Sequence, residues 1–305
     1  MKLSIVSPVY RAELVLDELV ERISNSIPSE FTSYEVILID DFSPDKSWQK
    51  IVEVSNKNPN VKGFKLSRNF GQHYAITAGI NQVSGDYIVV LDCDLQDQPE
   101  EIKKLFLESQ KGFDIVLARR YERKDSFFKK AVSKLFYNVL SYLTGIKHDT
   151  TVGNFGIYSR QVIKEVVKLN EKIKYFPTMV KWVGFSTSYV NVEHASRSQG
   201  KSNYNLKKLL ELALDIILAY SDKPLRLIIK FGLTIAMISF LMVLYVLLEK
   251  LNGNVSVSGY ASLIISIWFF CGFLLTTLGV IGLYIGKIFE GVKNRPSYII
   301  EKSTE

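Results

Sequence analysis

The sequence predicts an α/β fold, a mostly parallel, doubly wound sheet with helices on both faces, followed by a C-terminal pair of membrane-spanning helices. Two observations lead to this prediction. Short apolar runs alternate with segments of helical apolar spacing through the first part of the chain. Charged residues are frequent up to Lys230 and then nearly vanish from Phe231 to Gly286.

The elements follow one another in a strand–helix alternation. Strands are predicted over Leu3–Ser7, Tyr34–Ile39, Val61–Leu66, Tyr87–Leu91, Phe113–Ala118 and Ser186–Val192. Helices are predicted over Glu13–Ile27, Lys46–Asn56, His73–Val83, Ser126–Leu143 and Gln161–Leu169. Glycines flank Asn154 in Thr150–Arg160, which favours a site-like loop there, although a plain tight turn has the same pattern.

The stretch after the fourth strand carries the main chemical signal. Tyr87–Leu91 has no polar interruption, which is typical of a strand buried on both faces of a parallel sheet. Asp92 and Asp94 follow it directly, and their spacing sends both carboxylates to one side while Cys93 faces the other. Ligands of open α/β sheets bind at such strand ends.

Two neighbouring carboxylates repel each other, and a divalent cation relieves that repulsion. Mg²⁺ or Mn²⁺ uses one or two carboxylates together with substrate phosphates, so Asp92 and Asp94 indicate a nucleoside diphosphate ligand. The alternative is a solvated turn or a helix cap ahead of Pro99. The buried strand before the two acids favours the metal site.

Polar residues also follow the earlier strands. Asp40 or Asp41 is a carboxylate acceptor for a nucleotide base or ribose, and the other is interpreted as a cap of the following helix. Arg68, with Asn69 and Gly71, suits the approach of a pyrophosphate. A surface salt bridge is an equally good interpretation of Arg68.

Composition excludes several classes of protein. The formal net charge of +7 is moderate and no nucleic-acid-binding module is present, so a membrane surface explains the charge better than nucleic acid. Cys93 and Cys271 are the only cysteines and are not expected to pair, which indicates a reduced, cytosol-facing protein. The first apolar run is too short for a signal peptide.

The C-terminal part predicts attachment to a bilayer. Phe231–Leu248 and Val255–Gly286 are each long enough for a span, and Lys and Arg flank both outer ends, which predicts cytoplasmic termini. Leu206–Tyr220 is predicted to lie in the interface, while Ser126–Leu143 is either a basic membrane-facing helix or an ordinary core-facing one. The predicted domains are 1–204 (cytoplasmic, catalytic), 205–230 (juxtamembrane), 231–286 (two spans) and 287–305 (cytoplasmic tail).

Six segments together resemble the family-2 glycosyltransferases, and among them the membrane-anchored polyprenyl-phosphate glycosyltransferases such as the dolichol-phosphate mannose synthase and bactoprenol glucosyltransferase group. The segments are Ser7–Tyr10, Asp40–Asp45, Arg68–Gln72, Leu91–Asp97, Arg197–Tyr204 and Arg295–Tyr298. The resemblance implies a GT-A fold and a nucleotide-sugar donor, with a UDP-sugar favoured. It implies transfer to a polyprenyl phosphate with inversion, a Mg²⁺ or Mn²⁺ ion, and a bilayer as partner.

The resemblance also implies roles for individual residues. Asp92 and Asp94 would hold the metal and the diphosphate, and Gln96 would lie close to the sugar. The remaining donor-site residues would be Pro8, Tyr10, Asp40, Asp41, Arg68, Gln72, Lys201 and Ser202, with Arg197 meeting phosphate. The sequence departs from the family at two positions. Cys93 replaces the small residue that is usual between the two acids, and Asn154 stands where many relatives carry an aspartate. The expected catalytic group is therefore Asp94, Gln96, Asn154 and Arg197, without an assigned base.

Three other functions stay open at this point. The first is the addition of a sugar to a hydroxyl of a lipid-linked saccharide, which would need a general base such as Asp97 or Asp149. The second is a non-catalytic membrane scaffold, and the third is a metal-dependent nucleotidyltransferase. Glycines Gly272, Gly279 and Gly282 in the second span also suit a homo-oligomer.

Overall fold

The computed structural model describes residues 1–120, 141–143, 151–169, 171–193, 217, 221–251 and 259–304. The predicted helices over 126–143 and 206–220 fall outside this part of the chain, apart from 141–143 and 217. The predicted phosphate-binding run Arg197–Tyr204 also lies outside the described residues.

The described residues form eight strands and eight α-helices, numbered here in chain order. The strands are β1 (Lys2–Val9), β2 (Ser33–Asp40), β3 (Val61–Leu66), β4 (Tyr87–Val90), β5 (Ile115–Arg120), β6 (Val152–Ser159), β7 (Thr187–Val192) and β8 (Ile300–Ser303). The helices are α1 (Leu16–Asn25), α2 (Ser47–Lys57), α3 (Gln72–Ile80), α4 (Ile102–Ser109), α5 (Arg160–Lys168), α6 (Phe176–Trp182), α7 (Lys223–Leu251) and α8 (Tyr260–Val292).

All eight strands belong to one sheet with the order β7-β5-β6-β4-β1-β2-β3-β8. Strands β4, β1, β2 and β3 pair in parallel, so their carboxyl ends lie at one edge of the sheet. β6 pairs antiparallel with both β4 and β5, and β8 pairs antiparallel with β3. The prediction of a mostly parallel sheet of the GT-A type is confirmed.

Helices cover both faces of this sheet. Buried side chains of α1, α2 and α4 belong to the core cluster on one face of the sheet, and those of α3, α5 and α6 belong to the cluster on the other. Ile5 and Val6 show the alternation, because they are neighbours in β1 yet belong to different core clusters. Each fully buried aliphatic side chain of this kind stabilises the fold by roughly 1.5–3 kcal/mol.

The prediction of a loop over Thr150–Arg160 is wrong, because most of this segment forms strand β6. Gly156 had suggested a turn, but it lies mid-strand opposite Val90 and Leu117. A Cβ there would lie 2.9 Å from the carbonyl oxygen of Val116, so the glycine allows close approach of β5. The same strand brings Asn154 to the edge where the parallel strands end.

By its contacts the chain divides into two units. Among the described residues, the first unit holds the sheet with residues 1–120, 151–169, 171–193 and 295–304, and the second holds α7 and α8. In the second unit, Ser266–Val292 is long and apolar enough to cross a membrane, with a mean hydropathy of 1.9, and most of its large apolar side chains are exposed. Phe231–Leu248 lies within α7, and its role as a second span stays a prediction, as do the domain boundaries.

A buried carboxylate ties together the opposite edge of the sheet. Glu35, of which 2% is exposed, accepts hydrogen bonds from the hydroxyl of Ser4 (2.6 Å), the backbone N–H of Ser84 (2.7 Å) and the ammonium of Lys2 (2.9 Å). Burial by itself would raise the pKa of Glu35. The hydrogen bonds outweigh burial and lower the pKa from the ordinary value of 4.5 to about 2.

We therefore expect the ionised form of Glu35 to stabilise the fold. Its folded-state pKa is depressed, so its contribution is present above pH 4.5 and is lost as the pH falls towards 2. Glu35→Gln should lower the free energy of unfolding by about 1–3 kcal/mol between pH 7 and 5, and the difference should shrink as the pH falls below 4.5. Thermal unfolding of the detergent-solubilised protein between pH 7 and 2.5 measures this. Exposed Glu30→Gln is the matched control, and a difference that does not depend on pH would contradict the prediction.

Candidate active site

The predicted site residues that the structure describes gather at the carboxyl ends of the parallel strands. They are Pro8 and Tyr10 at β1, Asp40 and Asp41 at β2, Arg68 and Gln72 after β3, Asp92, Asp94 and Gln96 after β4, and Asn154 on β6. Arg197, Lys201 and Ser202 lie outside the described residues. This edge is where open α/β sheets bind ligands.

Two side-chain amides converge on Asp92. Gln72 donates from Nε2 to Oδ1 of Asp92 at 2.7 Å, and Asn154 donates from Nδ2 to the same oxygen at 3.4 Å. Gln72 is the first residue of α3, and Asn154 comes from the strand beside β4. The sequence had assigned Gln72 to nucleotide binding, whereas its contact here is with a carboxylate that comes from another loop.

Helix α3 can place Gln72 there because it packs close to the sheet. A Cβ on Gly79 would lie 2.3 Å from Cγ1 of Val6 and 3.2 Å from Cγ1 of Ile39. A side chain at position 79 would therefore push the helix away from β1 and β2. Glycine normally weakens a helix interior by about 1 kcal/mol, and here close packing is its compensating role.

Asp94 is held by its own turn. Its Oδ1 accepts the backbone N–H of Gln96 at 3.2 Å, and Leu95 between them has a left-handed φ of 59° with its side chain buried. This turn leaves both Asp92 and Asp94 partly exposed at the strand end. Neither aspartate caps a helix, since the turn at Pro99 has Gln98 as its N-cap residue, without a side-chain cap bond.

Cys93 faces the core, as the spacing predicts. Its side chain packs against the cluster under α1, α2 and α4. Burial, together with the charges of Asp92 and Asp94, raises the pKa of the Cys93 thiol to about 12. The thiol is therefore protonated at neutral pH and is unsuited to metal binding.

The chemistry of Asp92 and Asp94 fits Mg²⁺ or Mn²⁺ with a phosphate ligand. Among the described residues, no group of three or more His, Cys, Asp or Glu side chains could hold a metal ion. A pair of carboxylates with only oxygen donors suits Mg²⁺, which takes its other ligands from water and substrate phosphates. Such a pair is poorly suited to Zn²⁺, whose structural sites have four protein ligands.

Asp41 holds the loop that joins β3 to α3. Its carboxylate accepts the backbone N–H groups of Phe70 at 2.7 Å and Gly71 at 2.8 Å, and its carbonyl accepts from Asn69 Nδ2 at 3.1 Å. Burial raises the pKa of Asp41 from 3.8 to about 6, while the two backbone donors lower it in part. Gly71 has a φ of 104°, which only glycine adopts readily.

Asp40 has a different environment. Its Oδ1 accepts the backbone N–H of Ser43 at 3.2 Å, whereas its Oδ2 is buried with no hydrogen-bond partner in the described part of the chain. Burial raises the pKa of this carboxyl. The interpretation that Asp40 or Asp41 caps α2 is wrong, because the N-cap residue of α2 is Lys46 and the first N–H of the helix bonds Asp45.

The remaining predicted residues lie at the same edge of the sheet. The guanidinium of Arg68 stacks over the ring of Phe70 at 4.4 Å from its centroid. Tyr10 is exposed, and Arg11 lies over its ring at 5.5 Å. The supporting role of Ser43 was not predicted. Its backbone N–H donates to Asp40, and its hydroxyl accepts the N–H of Arg11 at 3.2 Å. Its signal is the short polar side chain after two acids, which favours a local turn.

Comparisons with known proteins place the chain in a family. The family model described as "Glycosyl transferase family 2" matches residues 4–167. An uncharacterized glycosyltransferase of Bacillus subtilis, YkcC, is 40% identical over 98% of this chain and 93% of its own length. The undecaprenyl-phosphate 4-deoxy-4-formamido-L-arabinose transferase of Proteus mirabilis is 36% identical over 99% of this chain and 93% of its own length.

Solved structures support the fold. Glucosyl-3-phosphoglycerate synthase from Mycobacterium tuberculosis, crystallised with Mn²⁺ and UDP-glucose, is similar with a TM-score of 0.51. The similarity covers 72% of this chain and 77% of that one at 15% sequence identity. At this identity the likeness shows a shared GT-A architecture.

The contacts of Asp41 generate a prediction about the β3–α3 loop. Asp41→Ala removes the acceptor of two backbone N–H groups, so these amides should open more readily. Hydrogen–deuterium exchange should show faster uptake in the peptide that covers 68–72 and unchanged uptake in 87–91. Asp17→Ala, which removes an exposed carboxylate, is the control. Unchanged protection of 68–72 in the Asp41 variant would contradict the assignment.

Proposed function

Since this chain belongs to glycosyl transferase family 2 and is a glycosyltransferase, we propose that it transfers a sugar from a nucleotide-diphosphate sugar to a polyprenyl phosphate. A UDP-sugar is the favoured donor, the acceptor is of the undecaprenyl type, and the anomeric configuration is inverted. The observation that carries the proposal is the pair Asp92 and Asp94 at the end of β4, with Gln72 and Asn154 fixing the orientation of Asp92. The name of the Proteus mirabilis relative supports the acceptor.

The diphosphate end of the donor would bind at Asp92 and Asp94 through Mg²⁺ or Mn²⁺. The ion, when bound, neutralises negative charge on the leaving nucleoside diphosphate. The chain's own part is to keep Asp92 oriented without adding charge, because the amides of Gln72 and Asn154 are neutral donors. Gln96, which follows Asp94 in the same turn, would contact the sugar.

The nucleoside end would bind at Asp40 and Tyr10, beside Pro8 and Arg68. Oδ2 of Asp40 is a buried acceptor that needs a donor, and the imide N–H of uracil is a donor of the right kind. The corresponding ring nitrogen of cytosine is an acceptor, so it would leave Asp40 unpaired. This contrast supports a UDP-sugar over a CDP-sugar.

The nature of position 154 supports a phosphate acceptor over a hydroxyl acceptor. A phosphate monoester has a second pKa near 6, so the lipid phosphate is already largely an anion at neutral pH. It needs to be positioned for attack on the anomeric carbon, opposite the leaving diphosphate, rather than deprotonated. A neutral asparagine near Asp92 is compatible with this reaction and cannot act as a general base.

The lipid acceptor requires a position at the membrane. Ser266–Val292 is suited to one span, and Phe231–Leu248 would provide the second. With Lys and Arg at both outer ends of the pair, the sheet and both termini would face the cytoplasm, as in a bacterial inner membrane. Arg197, Lys201 and Ser202 would meet the phosphates, and a homo-oligomer would form through the glycine-bearing span.

The proposal predicts metal-dependent transfer. Purified protein in detergent with undecaprenyl phosphate should release nucleoside diphosphate from one UDP-sugar of a screened panel when Mn²⁺ or Mg²⁺ is present, and EDTA should abolish the release. Asp92→Asn or Asp94→Asn should lower kcat by about 10²- to 10³-fold, as the loss of one preorganised electrostatic group does. Exposed Asp17→Asn should leave it unchanged. Release of pyrophosphate, or full activity of the Asp94→Asn variant, would contradict the proposal.

Position 154 gives a second prediction, which separates the two kinds of acceptor. Asn154→Asp places a second carboxylate against Asp92, at the present amide-to-carboxylate distance of 3.4 Å, and like charges repel. Transfer to polyprenyl phosphate should therefore slow by about tenfold or more. Asn154→Ala, which removes the amide without adding charge, should slow it less. A faster reaction of Asn154→Asp with a lipid-linked saccharide would favour the hydroxyl acceptor.

A further inference from the structure

Strand β8 belongs to the sheet although it follows the apolar helix α8 in the chain. Its residues pair with β3 in the register Phe64–Ser303, Lys65–Lys302 and Leu66–Ile300. On the other side β3 pairs with β2, so β8 forms the outer edge of the donor half of the sheet. The carboxyl ends of β2 and β3 lead directly into the loops of Asp41 and Arg68.

The pairing continues beyond β8 at both ends. The backbone N–H of Ser67 donates to the carbonyl of Ile299 at 2.9 Å, one residue before Arg68. At the other end, the N–H of Thr304 donates to the carbonyl of Gly63 at 3.0 Å. The hydroxyl of Thr304 accepts the N–H of Gly63 at 2.9 Å and lies 3.2 Å from the hydroxyl of Ser55 on α2.

Side chains of the same segment pack below the β3–α3 loop. Tyr298 and Ile300 pack against the core cluster that contains Leu66 and Ala75, and Phe70 from the loop packs against that same cluster. Glu301 lies 3.9 Å from the ammonium of Lys65, which in turn lies 5.1 Å from the ring centroid of Phe42 beside Asp41. An exposed ion pair contributes little energy, so the backbone ladder and the buried side chains carry the connection.

A second line of contacts reaches the start of α3. The ammonium of Lys172 donates to the carbonyl of Arg295 at 3.1 Å, and the carbonyl of Lys172 accepts from the hydroxyl of Tyr74 at 3.0 Å. Gln72, whose amide holds Asp92, lies two residues before Tyr74. Residues 295–304 therefore contact the first residue of the β3–α3 connection directly and reach the first turn of α3 through Lys172.

We propose that the segment from Arg295 to Thr304 is a positioning element of the donor site. It holds β3 and the Arg68–Gln72 loop so that the Gln72 amide meets Asp92 and the loop amides meet Asp41. Because this inference rests on the proposed function for its kinetic readout, its test also includes binding of UDP alone. Thr304 and Tyr298 act through β3 and the core.

The test uses two pairs of matched variants of the full-length protein. Lys302→Pro breaks the ladder opposite Lys65, because proline cannot donate a backbone hydrogen bond, whereas Lys302→Ala keeps the backbone. Thr304→Val removes the acceptor of Gly63, and Thr304→Ser keeps it. Each is assayed in detergent for UDP binding in Mn²⁺, for the donor KM, for the acceptor KM and for kcat.

The expected result is a split between donor and acceptor parameters. Lys302→Pro should raise the UDP Kd and the donor KM by about 5- to 30-fold, and Thr304→Val by about 2- to 10-fold. The acceptor KM should stay within about twofold in every variant, and both control variants should behave as wild type. Hydrogen–deuterium exchange in 66–72 should accelerate in Lys302→Pro and not in Lys302→Ala.

Other results would overturn the proposal. Equal donor parameters within each pair would do so, as would a fall in kcat with the donor KM and the UDP Kd unchanged. If Lys302→Pro does not fold, as judged by its unfolding midpoint, the Thr304 pair decides the question. Wild-type protein that binds UDP but transfers no sugar would count against the proposed function alone, because the UDP Kd still compares the variants.

Discussion

The arrangement of the site depends on one hydrogen bond, from the amide of Gln72 to the carboxylate of Asp92. Gln72 follows β3 at the start of α3, whereas Asp92 follows β4. The bond therefore forms only when β3, α3 and β4 are all correctly placed. Three neighbouring features help to keep the side chains of Gln72 and Asp92 within hydrogen-bond distance. Gly79 lets α3 approach β1, Asp41 fixes the loop before Gln72, and the antiparallel β6 brings a second amide to the same oxygen.

Neutral amides have a physical advantage over basic side chains in this position. A lysine or arginine on Asp92 would satisfy its charge, and would then compete with a divalent cation for the same oxygens. An amide orients the carboxylate through one hydrogen bond and leaves its negative charge in place. The site is thus prepared for a ligand that brings its own cation.

The sequence alone was sufficient to predict the parallel half of the sheet and the acidic residues at the strand ends. Those features are local, because an apolar run of β-branched residues and the acids after it are contiguous in the chain. Asn154 was also predicted as a site residue, but on a loop, because glycine next to a polar residue is typical of turns. The structural reason for Gly156 is the proximity of another strand, and this information is not contained in the segment itself. The partnership of Gln72 with Asp92 is non-local in the same way.

Three further elements, α4, α6 and β8, were missed. Helix α6 is short, although Pro177 in its first turn is a start signal that could have identified it. Strand β8 has only four residues, of which Glu301, Lys302 and Ser303 are exposed, so no apolar pattern distinguishes it from a solvated tail. Edge strands are often charged in this manner because charge discourages pairing with other chains. The pairing of β8 follows from the open edge of β3, which a linear reading of the chain does not reveal.

The late position of β8 in the chain has a consequence for biogenesis. Translation produces β3 long before β8, and both apolar helices are synthesised between them. During that interval the outer edge of β3 has no neighbour from its own sheet, and an open edge is a template for aberrant association. The nascent chain therefore completes its sheet only after α7 and α8 have left the ribosome. Synthesis of the two apolar helices therefore precedes completion of the sheet.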